Sequence, residues 1–218
     1  YGMFIEELHR ELGLTGDVVV FGDAAAEVNE RYGMLKKVAV KNRAAGLTKR
    51  IPGEAVHIYV GELKHLKELG VTGEAAEGLI LHAMTHEAGH MVDILGGEFL
   101  AAHDKTITKI FEETVKDKSK LKEEWFADQV GDWLRTRKRP FTQWQKVLDK
   151  AAKLWKKTAE WLGEMITGKK QSLPNKTIAD ILDARREAVR KFNESKAVRE
   201  SYLDVGAIQE EFQMYRDF

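Results

Sequence analysis

Apolar residues in the first sixty positions are spaced in two ways, one typical of helices and one typical of strands. An apolar residue recurs every fourth position over residues 3–12, which predicts a short amphipathic helix, and residues 24–32 are also predicted to be helical. Three consecutive valines within residues 17–21 predict a buried strand. Residues 55–60 alternate between two faces and predict the clearest strand, and residues 35–40 are a candidate second strand.

From residue 62 onward the apolar spacing is helical. The segment ending at Leu95 can be capped by Thr72, and it stops at the consecutive glycines Gly96 and Gly97. Residues 171–176, which contain the third proline, are the best candidate linker. The predicted helices of this part cover residues 62–69, 74–95, 99–115, 121–135, 141–167, 177–192 and 195–215. Strands followed by a series of helices predict an α+β fold.

The composition excludes several classes of function. The 218 residues include no cysteine, which excludes disulfides, thiol nucleophiles and cysteine-based zinc sites. No apolar run approaches the roughly 18 residues of a membrane span, so we expect no membrane-spanning segment. The net charge is zero, but residues 1–128 hold 16 basic and 22 acidic side chains, and residues 129–218 hold 19 and 13. An imbalance of this size is more typical of complementary surfaces than of a nucleic-acid-binding site, so no nucleic acid partner is indicated.

The segment His86-Glu87-Ala88-Gly89-His90 carries the clearest chemical signal. On a helix, residues four apart lie on one face, about 6 Å apart along the axis, so His86 and His90 can bind one Zn²⁺ through adjacent coordination positions. Glu87 can then act as general base on a water molecule whose pKa zinc has lowered. We therefore predict His86 and His90 as zinc ligands and Glu87 as the catalytic residue.

A catalytic zinc site of this kind needs a third protein ligand. One class of zinc enzymes has a histidine six residues after the second one, with a glycine between them. Asp93 and Gly96 occupy those two positions here, which excludes that class. Glu124 and Asp128 lie four apart on a later predicted helix, so one can bind the metal while the other accepts the free N–H of a ligating histidine. Glu123 points about 100° away from Glu124, and we predict Glu124 as the third ligand.

Two motifs in this region resemble those of a known family. The pattern His-Glu-x-Gly-His-x-Val-Asp over residues 86–93, with Glu-x-Phe-Ala-Asp over residues 124–128, is similar to the gluzincins, zinc metallopeptidases with an HExxH motif and a downstream glutamate. Within that group it resembles the anthrax lethal factor-like peptidases. The resemblance covers about residues 55–135 and implies a zincin-like fold with a small mixed sheet and an active-site helix.

The resemblance also implies roles for individual residues. His86, His90 and Glu124 would bind zinc, and Glu87 would activate water for the hydrolysis of peptide bonds. The four-residue spacing with Glu124, and not the resemblance, assigns to Asp128 the orientation of one of these histidines. The expected substrate is accordingly a protein or a peptide.

One feature of that family has no counterpart at the expected position. Its members place a transition-state-stabilising tyrosine shortly before the third ligand, whereas this sequence has no tyrosine between Tyr59 and Tyr202. Either Tyr202, Tyr215 or His103 takes that role, or the activity is weak or lost.

We predict a zincin-like metallopeptidase domain over residues 1–139 and a helical C-terminal extension over residues 140–218. The chain begins at Tyr1 rather than Met, and we interpret it as a candidate piece of a longer protein. The alternative function is therefore a catalytically weak or inactive zincin module with a binding or structural role. The chain would then be one module of a large multidomain protein, either a toxin or a protein of a phage or a mobile element.

Three further residues near the motif have alternative interpretations. His82 lies one helical turn before His86 and is expected beside the ligands rather than bound to the metal. His57 and Tyr59 share one face of the clearest strand. They either line a cleft for an extended peptide or form an ordinary outward sheet face.

Overall fold

The computed structural model describes residues 2–50, 52–136 and 173–216, and it describes their side chains except for Glu74 and residues 198–216. The strands are β1 (Val18–Phe21), β2 (Gly46–Arg50) and β3 (Val56–Val60). The helices of these ranges are α1 (Gly2–Glu11), α2 (Asp23–Val28), α3 (Glu30–Lys41), α4 (Leu63–Glu68), α5 (Gly73–Leu95), α6 (Gly97–Ala101), α7 (Asp104–Thr114), α8 (Lys122–Thr136) and α9 (Lys176–Arg216).

A three-stranded mixed sheet forms the β part of the fold, with the strand order β1-β3-β2. Strand β3 is central; β1 pairs with it in parallel and β2 pairs with it antiparallel, with Thr48 opposite Ile58. All five residues of β3 are buried. The prediction of an α+β fold with a small mixed sheet is confirmed.

Helices cover both faces of the sheet. Val56, Ile58 and Val60 belong to a core that includes residues of α1, α5 and α8. On the other face, His57 and Tyr59 lie among aromatic residues, and Tyr59 shares a smaller core with residues of α2 and α3. The exposed fractions of His57 and Tyr59 are 5% and 0%. Neither the peptide cleft nor the outward face predicted for these two residues exists, because α2 and α3 cover this face of the sheet.

Several element boundaries differ from the predicted ones. Residues 35–40 form part of helix α3 rather than a strand, and Asn29, which caps that helix, divides the predicted helix 24–32 in two. Strand β2 was not predicted. The predicted helix 99–115 is divided into α6 and α7, and the two predicted last helices are one continuous helix, α9. The predicted helix 141–167 lies outside the described residues.

Helices α5 and α8 approach each other at Gly89. A Cβ atom at this position would lie 2.5 Å from the carbonyl oxygen of Ala127 and 2.6 Å from its Cα atom. Both distances are far below van der Waals contact, so the close approach requires glycine at residue 89. Gly89 lies between the histidines of the HExxH segment, and Ala127 lies next to Asp128. The close contact therefore brings the functional residues of the two helices together.

The beginning of α9 packs on the same core. Ile178 and Leu182 belong to the large hydrophobic core. Trp133 donates from Nε1 to Asp183 at 3.1 Å, and Arg185 donates to the backbone carbonyl oxygen of Leu12 at 2.8 Å. The division of the chain at residue 140 stays a prediction, although this part of the predicted extension contributes to the core.

The membrane prediction agrees with the helices of the described ranges. In residues 2–50, 52–136 and 173–216, no helix combines the length and the apolar character that crossing a bilayer requires. The long helix α9 carries acidic and basic residues along its whole length, which keeps it from forming a continuous apolar stretch.

Replacing Gly89 with alanine should separate α5 from α8 and destabilise the protein. The added methyl group would meet the backbone of Ala127, which cannot move without displacing a helix, and overpacking of this kind costs about 1–3 kcal/mol. Gly131→Ala is the matched control, since a Cβ atom there would lie 3.2 Å from Nη1 at the end of the Arg135 side chain and 3.4 Å from the backbone oxygen of Thr85, so that no backbone has to move. Urea unfolding of the metal-free proteins measures the difference; equal stability of the two variants would contradict the close contact at Gly89.

Candidate metal centre

Two histidines of α5 and one carboxylate of α8 meet at the surface of the protein. Nε2 of His86 lies 3.1 Å from Nε2 of His90. The Glu124 carboxylate places one oxygen 3.3 Å from Nε2 of His86 and the other 3.5 Å from Nε2 of His90. Ligand atoms around a tetrahedral ion with bonds of about 2.0–2.1 Å are about 3.3 Å apart. The structure thus brings together the three predicted ligands, and they could hold a metal ion.

The local structure explains why these atoms converge. His86 and His90 lie four residues apart in α5 and therefore share one face of that helix. Glu124 lies in the first turn of α8 and faces them across the contact at Gly89. The side chains of the two histidines are 18% exposed and that of Glu124 is 51% exposed, so the site is open to solvent.

Asp128 orients the first histidine. Its Oδ1 accepts a hydrogen bond from Nδ1 of His86 at 3.0 Å, which leaves Nε2 directed toward His90 and Glu124. The other oxygen of Asp128 accepts from the Lys120 ammonium group at 2.7 Å. A carboxylate in this position fixes the tautomer and the ring orientation of a ligating histidine. The structure thus places Asp128 where the predicted role requires it.

The surroundings of the site raise the pKa of His86 and lower the pKa values of His90 and Asp128. Burial alone lowers the pKa of His86, but hydrogen bonds to Asp128 and Glu124 raise it to about 10. Burial, together with the nearby charge of His86, lowers the pKa of His90. Hydrogen bonds from His86 and Lys120 outweigh burial and hold the pKa of Asp128 well below its usual range. Without a metal ion, His86 therefore carries a proton at neutral pH and His90 does not.

Glu87 lies on a different face of α5 and contacts the sheet. Its side chain is buried, and its carboxylate Oε2 accepts a hydrogen bond from the Thr48 hydroxyl of β2 at 2.7 Å. Burial raises the pKa of Glu87 to about 7, although the charge of His86 and the Thr48 hydroxyl oppose this increase. A carboxyl group with a pKa near neutrality can both accept and donate a proton at physiological pH. This property suits the general base predicted at residue 87.

His82 lies beside the centre but belongs to a different environment. It forms a second group with His86 and Asp128 whose possible ligand atoms lie within 4.8 Å of one another. However, Arg135 Nη1 lies 3.4 Å from His82 Nδ1, and Lys120 contacts Asp128. Two fixed cations at this position disfavour a further cation. Burial and the Arg135 charge lower the pKa of His82 to about 3, so it remains neutral.

The residue that would replace the family tyrosine is not assigned by the structure. The side chains of Tyr202 and Tyr215 lie outside the described part of the chain. His103 precedes α7, where its ring lies 5.7 Å from the ring of Phe99. The three candidates for this role therefore stay predictions.

Two residues that contact the site were not selected from the sequence. Lys120 lies before α8, eight residues from Asp128, and that separation has no regular spacing that would mark the pair. Thr48 lies on β2, a strand whose sequence Gly-Leu-Thr-Lys-Arg has only one apolar side chain and no clear alternation. Only the three-dimensional arrangement reveals these two contacts.

Zinc binding should release about one proton at pH 7.5, because the metal replaces the proton of His86 while His90 is already neutral. The apparent affinity should therefore rise about tenfold per pH unit as the pH approaches the pKa of His86, and fall as the pH decreases. Calorimetry in two buffers of different ionisation enthalpy counts the protons. Asp128→Asn is the control, since loss of the negative charge lowers the pKa of His86 and should reduce the proton count. An affinity independent of pH between 6 and 8 would contradict this assignment.

Comparison with known proteins gives no indication of the function of this site. Searches against protein-family models, curated proteins and solved structures found no match to this chain. Among the described side chains of the site, three could hold a metal ion, one carboxylate orients His86, and one buried carboxyl group has a pKa near neutrality.

Proposed function

We propose that this protein is a zinc-dependent metallopeptidase of the gluzincin type, with a zincin-like domain that hydrolyses peptide bonds in a protein or peptide substrate. The observation that carries the proposal is the convergence of His86, His90 and Glu124, whose ligand atoms lie 3.1–3.5 Å apart. Two imidazoles and one carboxylate are the protein ligands of one class of catalytic zinc sites, which keep a further coordination position for water or substrate.

Glu87 supplies the proton transfers of the proposed reaction. It accepts a proton from the attacking water as the new C–O bond forms, and it delivers that proton to the leaving nitrogen as the C–N bond breaks. Zinc held by the three ligands would polarise the scissile carbonyl and lower the pKa of the water. Asp128 and Lys120 keep His86 in one orientation, so that the geometry around the reacting atoms does not change during turnover.

The alternative is a zincin module with weak or no activity that serves a binding or structural role in a larger protein. The environment of Glu87 favours catalysis over this alternative. Burying an ionisable carboxyl group costs free energy, and a structural zinc site makes no use of such a group. Its pKa of about 7 is the property that a general base requires.

Zinc binding should depend on Glu124 and not on its neighbour Glu123. Purified protein should contain about one zinc ion per chain, since it presents one three-ligand set. Glu124→Ala removes the carboxylate next to both histidines and should weaken zinc binding markedly. Glu123→Ala is the matched control, because it removes the same charge one position away on α8. Titration against a competing chelator measures both affinities; equal retention of zinc by the two variants would exclude Glu124 as a ligand.

Glu87→Gln should abolish peptide hydrolysis while zinc stays bound. Glutamine has the shape of glutamate but cannot accept the proton, and loss of a general base costs on the order of 10²-fold or more. A peptide-library cleavage assay of the wild-type protein and the variant, each with its zinc content measured, tests this prediction. Full activity of the variant would refute the mechanism. A wild-type protein that binds zinc and cleaves no peptide would instead support the inactive module.

A further inference from the structure

The edge strand β2 lies against both oxygens of the Glu87 carboxylate. The Thr48 hydroxyl donates to Oε2 at 2.7 Å and also lies 3.3 Å from the backbone carbonyl oxygen of Glu87. On the other side, a Cβ atom at Gly46 would lie 2.7 Å from Cγ and 2.8 Å from Oε1 of Glu87. Two residues of one strand thus determine where this carboxylate lies: one by a hydrogen bond and one by leaving space.

These contacts join the sheet to helix α5, and they also bear on the orientation of the Glu87 carboxylate. Thr48 and Gly46 lie two apart on β2 and therefore point to the same face of the sheet, toward α5. A glutamate side chain has several rotatable bonds, whereas a general base must direct one lone pair at a proton within about 2.6–3.2 Å. A carboxylate has about four lone-pair sites, so the hydrogen bond from Thr48 still leaves acceptor capacity for a water molecule.

We infer that Thr48 is a positioning residue for Glu87. Its hydroxyl holds the Glu87 carboxylate in one rotamer, and the missing side chain of Gly46 leaves the space that this rotamer occupies. The catalytic consequence rests on the proposed peptidase function, whereas the positioning itself is a property of the metal-free protein. Strand β2 has in this way a second role beside that of completing the sheet.

Thr48→Val removes the hydroxyl group but keeps the shape of the side chain. Valine keeps the branched Cβ that suits a strand but cannot donate to Glu87. We expect kcat to fall on the order of 10-fold to 100-fold with KM little changed, as misplacement of a catalytic group does. Thr48→Ser restores the donor and should return activity to within about threefold of the wild type, which a purely structural role of the methyl group would not do. Zinc affinity should be the same in all three proteins.

Gly46→Ala tests the space beside the carboxylate. Its methyl group would overlap the present position of Glu87 and should displace that side chain, so we expect a loss of kcat comparable to that of Thr48→Val. Lys49→Val is the control on the same strand, since residue 49 is exposed and a valine there touches neither the zinc ligands nor Glu87. Unchanged activity of Gly46→Ala and Thr48→Val in an active wild-type background would overturn the inference.

A measurement without zinc or substrate distinguishes this inference from the peptidase proposal. The carboxyl ¹³C resonance of Glu87, assigned by its loss in Glu87→Gln, is recorded at one fixed pH in the metal-free protein. It should shift in Thr48→Val and Gly46→Ala, but not in Thr48→Ser or Lys49→Val. This pattern would support the positioning role even if the wild-type protein cleaves no peptide. A resonance that is the same in all variants would overturn it, whatever the activity.

Discussion

Helices α5 and α8 meet where the Cα atom of Gly89 faces the backbone of Ala127, with no side chain between them. At this contact the histidines on either side of Gly89 reach Glu124 and Asp128, which lie on either side of Ala127. Any larger residue at position 89 would move the two helices apart and separate the candidate ligands. The convergence of the candidate ligands is therefore a consequence of backbone packing, and the central residue of the contact lies inside the HExxH segment itself.

A series of polar side chains extends from this contact, and positively and negatively charged groups alternate along it. Lys120 contacts Asp128, Asp128 contacts His86, and His86 contacts Glu124. Each charged group has a partner of opposite charge, which offsets the cost of removing it from water. The arrangement favours a positive charge between His86, His90 and Glu124, whether this charge is a proton on His86 or a metal ion. A metal ion bound by these three side chains would therefore compete with the proton of His86.

The elements with regular patterns were predictable, and those with irregular patterns were not. Strand β3 alternates clearly, and helix α5 is a long, largely apolar segment between Thr72 and the glycines Gly96 and Gly97; both elements lie within about one residue of their predicted bounds. Residues 35–40 contain four apolar side chains and two lysines, a pattern that fits a strand or a helix, and the cap at Asn29 favours the helix. Strand β2 has hardly any pattern, and it exists because its backbone pairs with β3 and its side chains meet α5.

The sequence by itself determined the local relations at the candidate site. The four-residue spacings of His86 with His90 and of Glu124 with Asp128 follow from helix geometry, which needs no knowledge of the rest of the fold. Only the tertiary structure decided that α5 and α8 pack so that these pairs face each other, and that Thr48 reaches Glu87. Those contacts join residues about 40 positions apart in the sequence. The periodicity of apolar residues shows that one face of an element is buried. It does not show which other element covers that face, because this depends on packing across the whole core.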